Sequence, residues 1–442
     1  MTISVLVLHA LPVLGFLLAI ILVAHLLRQR KPPASTLAWL LAIVLMPHVG
    51  VPLYLIFGGR KLKRMAAAKA PLFPNGMAVS PGNTISLLID GERAFQRVLD
   101  VIEGAQHTLF VATFILGRDA VGEAVIDALA RKAREGVNVR LLLDAWGSMS
   151  VTRHFLEPLI SAGGKVAFFM PMIHLPFRGR ANLRNHRKIV VSDDAIAIIG
   201  GMNLSERYMG AVAAVNRWPD LSFLLKGPAA LHLGNIFRAD WVFASGESLS
   251  DALTPPSSES GGEAVTLRVI ASGPDIESDT LRNFMVSALC KVQSRVWIVT
   301  PYFIPDELLH EMLSLAARRG IDVRLIIPFR SNHRLADLAR QGYLLELQQA
   351  GGKVMLYKKG MLHAKIMLVD DALCITGSAN LDVRSLLLNY EVAVACESPA
   401  LSKTLESWMN DLLGDCVSCG EQRNSIWRDL GYGIGRLFAP LL

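Results

Sequence analysis

The sequence predicts an α/β protein: two tandem, duplicated α/β sandwich lobes, each a mixed sheet covered by helices, behind an N-terminal α-helical membrane hairpin. Three observations carry this. The chain opens with a long charge-free apolar run. A strand–helix–strand pattern then occurs twice in the same order. Between the two occurrences lies a stretch rich in Ser, Gly, Pro and acidic residues. At 442 residues the chain is also too long for one ordinary domain.

Residues 1–65 are expected to be a membrane segment of two apolar helices. The hydrophobic fraction is 52% and the mean hydropathy +0.38, high for a wholly soluble protein. Residues 1–27 hold no Asp, Glu, Lys or Arg. As a helix they would extend roughly 40 Å, enough to cross a bilayer with some tilt. A cleaved secretory signal is the competing reading, but a basic start is missing and a second apolar stretch follows at once. That stretch, residues 32–59, is most helical over 36–46, and Pro47, Gly50 and Pro52 interrupt it. A kinked or re-entrant helix fits. Arg28, Arg30 and Lys31 separate the segments, and Arg60, Lys61, Lys63, Arg64 and Lys69 follow the second. The larger basic cluster favours a cytoplasmic body.

Residues 66–83 read as a linker, 84–244 as the first lobe, 245–263 as a second linker and 264–442 as the second lobe with a C-terminal helix. The lobes repeat one another. Strand-like residues 109–114, helical residues 120–135 and strand-like residues 136–143 have counterparts at 296–303, in a helix ending at Arg319, and at 320–327. Ala-Gly-Gly-Lys-Val at 162–166 recurs at 350–354. Strands alternating with helices indicate a sheet covered by helices.

The five cysteines form no disulfide framework. Cys290, Cys374 and Cys396 read as core. Cys416 and Cys419 have metal or redox spacing, yet no second pair stands nearby, so a structural role is expected and a reducing compartment fits. No metal or other cofactor is expected. A net charge of +7 favours an anionic partner, nucleic acid or acidic lipid.

The strongest signal is a pair of near-identical segments. His186, Lys188, Asp193, Gly200 and Asn203 stand at the same offsets as His363, Lys365, Asp370, Gly377 and Asn380. Apolar runs on both sides of 192–194 and of 370–371 look like hairpins with tight turns. On a strand, residues two apart share a face, so each His would project beside its Lys. Two such patches facing each other suit a phosphodiester. Lys188, Lys365, Asn203 and Asn380 can hold the non-bridging oxygens, while one His attacks phosphorus and the other protonates the leaving alcohol.

These segments resemble the HxK(x)4D(x)6GSxN signature of the phospholipase D superfamily, and the layout is most similar to its bacterial cardiolipin synthases. The resemblance covers nearly the whole chain. Residues 47–50 and 53–58 resemble that family's membrane segment, and 377–385 with 388–391 resemble its second motif. It implies that His186 and His363 are the nucleophile and acid/base pair, with Lys188, Lys365, Asn203 and Asn380 on the phosphate. It groups Asp193 and Asp370 with the catalytic residues, although their turn positions suit hairpin stability better. It implies too that each His is oriented by an acid later in its own repeat, for which Asp220 and Glu391 occupy matching places. Gly201, where the pattern has Ser, removes a possible phosphate hydroxyl from the first half. Residues 426–438 have apolar positions at helical spacing, suited to the membrane surface or to docking on the body.

The implied activity is transphosphatidylation of phosphatidylglycerol onto a second phosphatidylglycerol through a phosphohistidine, with phosphatidylethanolamine a variant donor. The implied place is a bacterial inner membrane, with no nucleic acid partner. A phospholipase D-type hydrolase or an anchored nuclease is the alternative.

Overall fold

The computed structural model describes residues 2–28, 33–59, 61–62, 66–67, 76–171, 182–249 and 264–420. The C-terminal helix expected at 426–438 lies outside them. The chain divides into an N-terminal helical unit and a body, beginning at Leu62, that contains both repeats.

The helical unit has three helices: α1 (Thr2–Leu27), α2 (Pro33–Leu45) and α3 (Pro47–Phe57). The second apolar stretch is thus two helices rather than one. Pro47 lacks the N–H that would continue α2, but its fixed φ suits the first turn of α3. The helices share a small core of Leu22, Leu26, Ile43, Val51 and Tyr54. α2 and α3 touch closely at Gly50, where a Cβ would fall 2.1 Å from the Ala42 carbonyl oxygen. Outside this core the unit is apolar as well: Phe16, Ile21, Leu37, Leu41, Val44 and Leu45 are all exposed. The described side chains of α1 are Val13 and those from Phe16 on. Among the described residues no helix is long and apolar enough to cross a membrane.

In the body the first repeat supplies β1 (Met77–Leu88), α4 (Gly91–Gly104), β2 (Thr108–Thr113), α5 (Ala120–Arg134), β3 (Asn138–Asp144), α6 (Arg153–Ser161), β4 (Lys165–Phe169), β5 (Ile189–Ser192), β6 (Ile196–Gly200), β7 (Ser222–Lys226) and α7 (Pro228–Ser245). The second supplies β8 (Val265–Ser272), α8 (Thr280–Lys291), β9 (Arg295–Val299), β10 (Phe303–Ile304), α9 (Glu307–Arg318), β11 (Asp322–Pro328), α10 (Arg334–Gln349) and β12 (Lys353–Tyr357). It closes with β13 (Ile366–Val369), β14 (Leu373–Gly377), β15 (Leu381–Asp382), α11 (Val383–Leu387), β16 (Glu391–Glu397), α12 (Pro399–Leu413) and β17 (Cys416–Ser418).

The two repeats share one mixed sheet of order β17-β12-β11-β9-β13-β14-β16-β8-β1-β7-β6-β5-β2-β3-β4. Read outward from the central β8–β1 pair, the two arms list equivalent strands in the same order, with β17 added at one edge. The duplication is therefore a pseudo-two-fold, and β1 and β8 cross it as antiparallel neighbours with Met77 opposite Ile270. This corrects the boundary at 84. Residues 77–83, expected in a linker, form the strand that joins the halves.

Helix faces follow the periodicity of burial. α4 begins at the Asp90 cap, whose side chain accepts from the Arg93 N–H, and buries Ala94, Phe95, Val98, Val101 and Ile102. It packs with α5 on one face of the sheet. α7 covers the other face, where Phe237 stacks on Phe110 of β2 at 4.9 Å. Cys290 is exposed on α8, not core as its apolar neighbours suggest.

Both motif hairpins turn through residues at positive φ, Asp193 and Asp194 in one and Asp370 in the other. Asp tolerates this conformation because its short side chain can bond locally. Asp193 accepts from the backbone N–H groups of Gln106, His107 and Thr108 at 2.7–2.8 Å. Asp370 does the same for Gln293, Ser294 and Arg295 at the start of β9.

Candidate active site

The two His-x-Lys segments lie immediately before β5 and β13, not within them, and both histidines line one cleft of about 560 Å³. Asn203 and Asn380 line it too. Asp193 and Asp370 do not. The structure places them at hairpin turns holding backbone N–H groups, where their turn positions in the sequence put them.

Each histidine is held by the opposite repeat. The His186 N–H donates to the Tyr390 carbonyl at 2.9 Å, and the His363 N–H donates to the Pro219 carbonyl at 2.8 Å. The side chains cross in the same way. His186 Nδ1 lies 3.1 Å from Glu391 Oε1, and His363 Nδ1 lies 2.6 Å from Asp220 Oδ2. The expectation that each acid serves the His of its own repeat is therefore corrected. Asp220 and Glu391 stand at the entry to β7 and β16, the strands flanking the central pair, so both reach across the pseudo-dyad. A carboxylate at Nδ1 fixes the tautomer that turns Nε2 toward the cleft.

The supports of the two carboxylates differ. Ser378 Oγ is fully buried and donates to Glu391 Oε2. At the equivalent Gly201 a Cβ would fall 2.2 Å from Asp220 Oδ1, so the carboxylate itself fills the space. This changes the reading of Gly201. The hydroxyl missing from the first half is a holder of the acid, not a phosphate ligand.

The lysines sit behind the imidazoles rather than in the cleft wall. Lys188 Nζ donates to the His186 carbonyl at 2.7 Å, and Lys365 Nζ to that of His363. Burial lowers both, Lys188 to about 7 and Lys365 to about 8, against the pull of Glu391 and Asp220. Burial, then Lys365, push His363 down to about 3 despite Asp220. His186 is lowered by burial and Lys188. Burial alone would raise Glu391, but His186, Lys188 and Ser378 outweigh it and hold the carboxyl low. Asn203 Oδ1 accepts from the Ile115 N–H at 3.1 Å. Asn380 Oδ1 is buried and has no hydrogen-bond partner among the described residues.

Several site residues were not foreseen. His363 packs edge-on against Tyr208 at 5.0 Å and beside Trp218 at 5.7 Å, and His186 lies 4.8 Å from Phe114. Arg184, Arg207 and Arg384 also line the cleft. Arg187, between the motif His and Lys, is wholly buried and donates to Asp240, Asp275, the Ser272 carbonyl and the Glu391 carbonyl. It thereby ties α7 of the first repeat to β8 and to the acid that orients His186. A cation between the motif residues was the available signal, but its counterpart is Ala364, so the repeat gave it no support.

The family model described as cardiolipin synthase, PLD-like domain, matches residues 98–241 and 285–413. Another, described as phospholipase D-nuclease N-terminal, matches residues 17–59. Cardiolipin synthase 1 of Bacillus anthracis is 34% identical, aligned over 94% of this chain and 90% of its own length. Cardiolipin synthase A of Pseudomonas aeruginosa is 33% identical over 99% of this chain and 96% of its own. A crystal structure of phosphatidylserine synthase from Haemophilus influenzae shares the fold, with a TM-score of 0.62, at 16% identity over 86% of this chain and 98% of that one.

Proposed function

The chain belongs to the PLD-like cardiolipin synthase family, and from that premise we propose that it joins two phosphatidylglycerol molecules into cardiolipin and releases glycerol. The observation that carries the reading is the pair of crossed His–carboxylate contacts in one cleft. One Nε2 attacks phosphorus, forming a P–N bond as the P–O bond to the head-group glycerol breaks. The other imidazole gives its proton to the departing alkoxide. It then takes a proton from the hydroxyl of the acceptor lipid, whose oxygen displaces the histidine. Asp220 and Glu391 hold the rings and stabilise their cationic forms. Lys188 and Lys365 supply positive charge behind the phosphoryl group as it gains negative charge, and Asn203 and Asn380 face it from the cleft wall.

The helical unit is proposed to lie in the bilayer of a bacterial inner membrane. Helices apolar on their inner and outer faces alike suit a lipid solvent. The basic residues after the second apolar stretch favour a cytoplasmic body. Cys290, an exposed native thiol, reports the side. A membrane-impermeant maleimide should label it only after the cells are permeabilised, with Cys290→Ser as the blank.

The activity test is incubation of the full chain in lipid with head-group-labelled phosphatidylglycerol. Cardiolipin with free glycerol supports transfer. Phosphatidic acid as the main lipid product indicates a hydrolase instead, and phosphatidylethanolamine offered as donor tests the variant substrate. His186→Ala and His363→Ala should each abolish product.

A further inference from the structure

The segments that line the cleft also carry apolar side chains that the body leaves in solvent. Three segments that contribute to the cleft lining each present two. The loop after β3 carries Trp146 and Met149, 51% and 63% exposed. The loop between Tyr208 and Trp218, both cleft residues, carries Val212 and Val215, 74% and 100% exposed. Its neck is closed by the Trp218 N–H donating to the Arg207 carbonyl at 2.7 Å, and residues 211–216 are all exposed and uncharged. The loop after β11 and the start of α10 carry Phe329 and Leu335, 47% and 58% exposed, beside the cleft residues Asn332 and His333.

An exposed valine on one loop needs no explanation. Apolar tips on three segments that line one cleft do. Their charged neighbours have a sign: Arg207, Arg330 and Arg334 are exposed among them, with Glu206 the acid beside Arg207. Apolar tips interleaved with arginine match an anionic interface, where acyl chains accept the former and phosphates the latter.

We propose that these tips form a lipid-docking surface of the catalytic body itself, inserting into the headgroup region of an anionic phospholipid bilayer so that the cleft opens onto the lipid. The inference rests on the phosphatidyl-transfer reading for its benefit to the enzyme, since a docked mouth receives a head group without lifting the acyl chains into water. Each methylene kept out of water favours docking, so a few side chains are enough to matter.

Two measurements on the full chain decide it. The variant Met149→Ser/Val215→Ser/Leu335→Ser changes three tips outside the cleft lining. Cardiolipin formation is compared on phosphatidylglycerol nanodiscs and on dihexanoyl phosphatidylglycerol below its micelle concentration. The rate on nanodiscs should fall at least tenfold while the short-chain rate stays within twofold of wild type. A nanodisc to short-chain ratio unchanged within twofold overturns the proposal. The second measurement needs no turnover. Lipids brominated near the carbonyl end should quench Trp146 fluorescence, isolated as the difference between wild type and Trp146→Phe. Absence of that quenching overturns the proposal even where the triple variant fails to fold. A wild-type chain that forms no cardiolipin from either substrate refutes the transfer reading, and the quenching still decides the docking surface.

Discussion

Gly201→Ser gives this chain the residue that the phospholipase D signature carries, and the structure expects it to be harmful. A Cβ at 201 would lie 2.2 Å from Asp220 Oδ1 and 2.7 Å from Oδ2. Non-bonded heavy atoms are comfortable at about 3.5 Å, so the carboxylate must retreat by roughly 1 Å. The contact it then loses is the 2.6 Å bond to His363 Nδ1 in a fully buried site. A hydrogen bond to a charged group is worth about 1.5–3 kcal/mol, or roughly 10–150-fold in rate. A misplacement of that size costs about a hundredfold by the geometric route as well. The rate of glycerol release from phosphatidylglycerol, measured in lipid-detergent micelles, should fall roughly 10–100-fold on these grounds. Asp220 raises the His363 pKa, so its withdrawal lowers that pKa further and moves the limb of the rate profile that His363 governs to lower pH, the acid limb if His363 is the nucleophile and the alkaline limb if it is the acid. Gly201→Ala brings the same Cβ without the hydroxyl and should behave alike. A Gly201→Ser enzyme within twofold of wild type refutes the steric argument, and so does damage from Ser that Ala does not reproduce.

Arg187→Leu removes the cation between Asp240 and Asp275, so two buried carboxylates lose the guanidinium that balances their charge. Stability should drop by about 3–5 kcal/mol, read as a lower denaturation midpoint, and a loss under 1 kcal/mol contradicts the assignment. Asp193→Ala should cost about 1–3 kcal/mol, because backbone N–H groups at the start of β2 lose their acceptor. Its turnover per folded molecule should stay near wild type, and a hundredfold loss there would return Asp193 to the chemistry. An anion entering the cleft raises the pKa of Lys188, at about 7, and of Lys365, at about 8. Sulfate binding at pH 8 should therefore take up protons, seen as a binding enthalpy that varies with the ionisation enthalpy of the buffer. Zero uptake or proton release contradicts the placement of the lysines.

The duplication was legible because spacing survives where side chains drift. His186 and His363 were found as a matched pair, and the two arms of the sheet carry equivalent strands. The crossing of the acids was not legible. Positions 220 and 391 match within the repeats, but which ring each reaches depends on β7 and β16 flanking the dyad, a fact of sheet order that no local pattern encodes. The Ser that Gly201 lacks looked like a phosphate hydroxyl, whereas its counterpart in the second repeat, Ser378, bonds the acid. Its burial under Glu391 appears only when the return strand is in place. Arg187 escaped notice because the pseudo-symmetry that revealed the histidines also hides whatever is unique to one repeat. The break at Pro47 was half visible: proline marks a stop, but the second helix it starts depends on Gly50 letting α3 approach α2.

The most direct test of a shared site is the number of phosphatidyl groups a chain can hold at once. The full protein is mixed with phosphatidylglycerol, quenched within a turnover under conditions that preserve phosphohistidine, and its histidine adducts are counted by mass spectrometry. One adduct per chain, always on the same one of His186 and His363, and absent when that residue is alanine, is the expected result. Two adducts on one chain, or an adduct on either histidine that forms undiminished without the other, contradicts a single cleft in which two imidazoles serve one phosphorus.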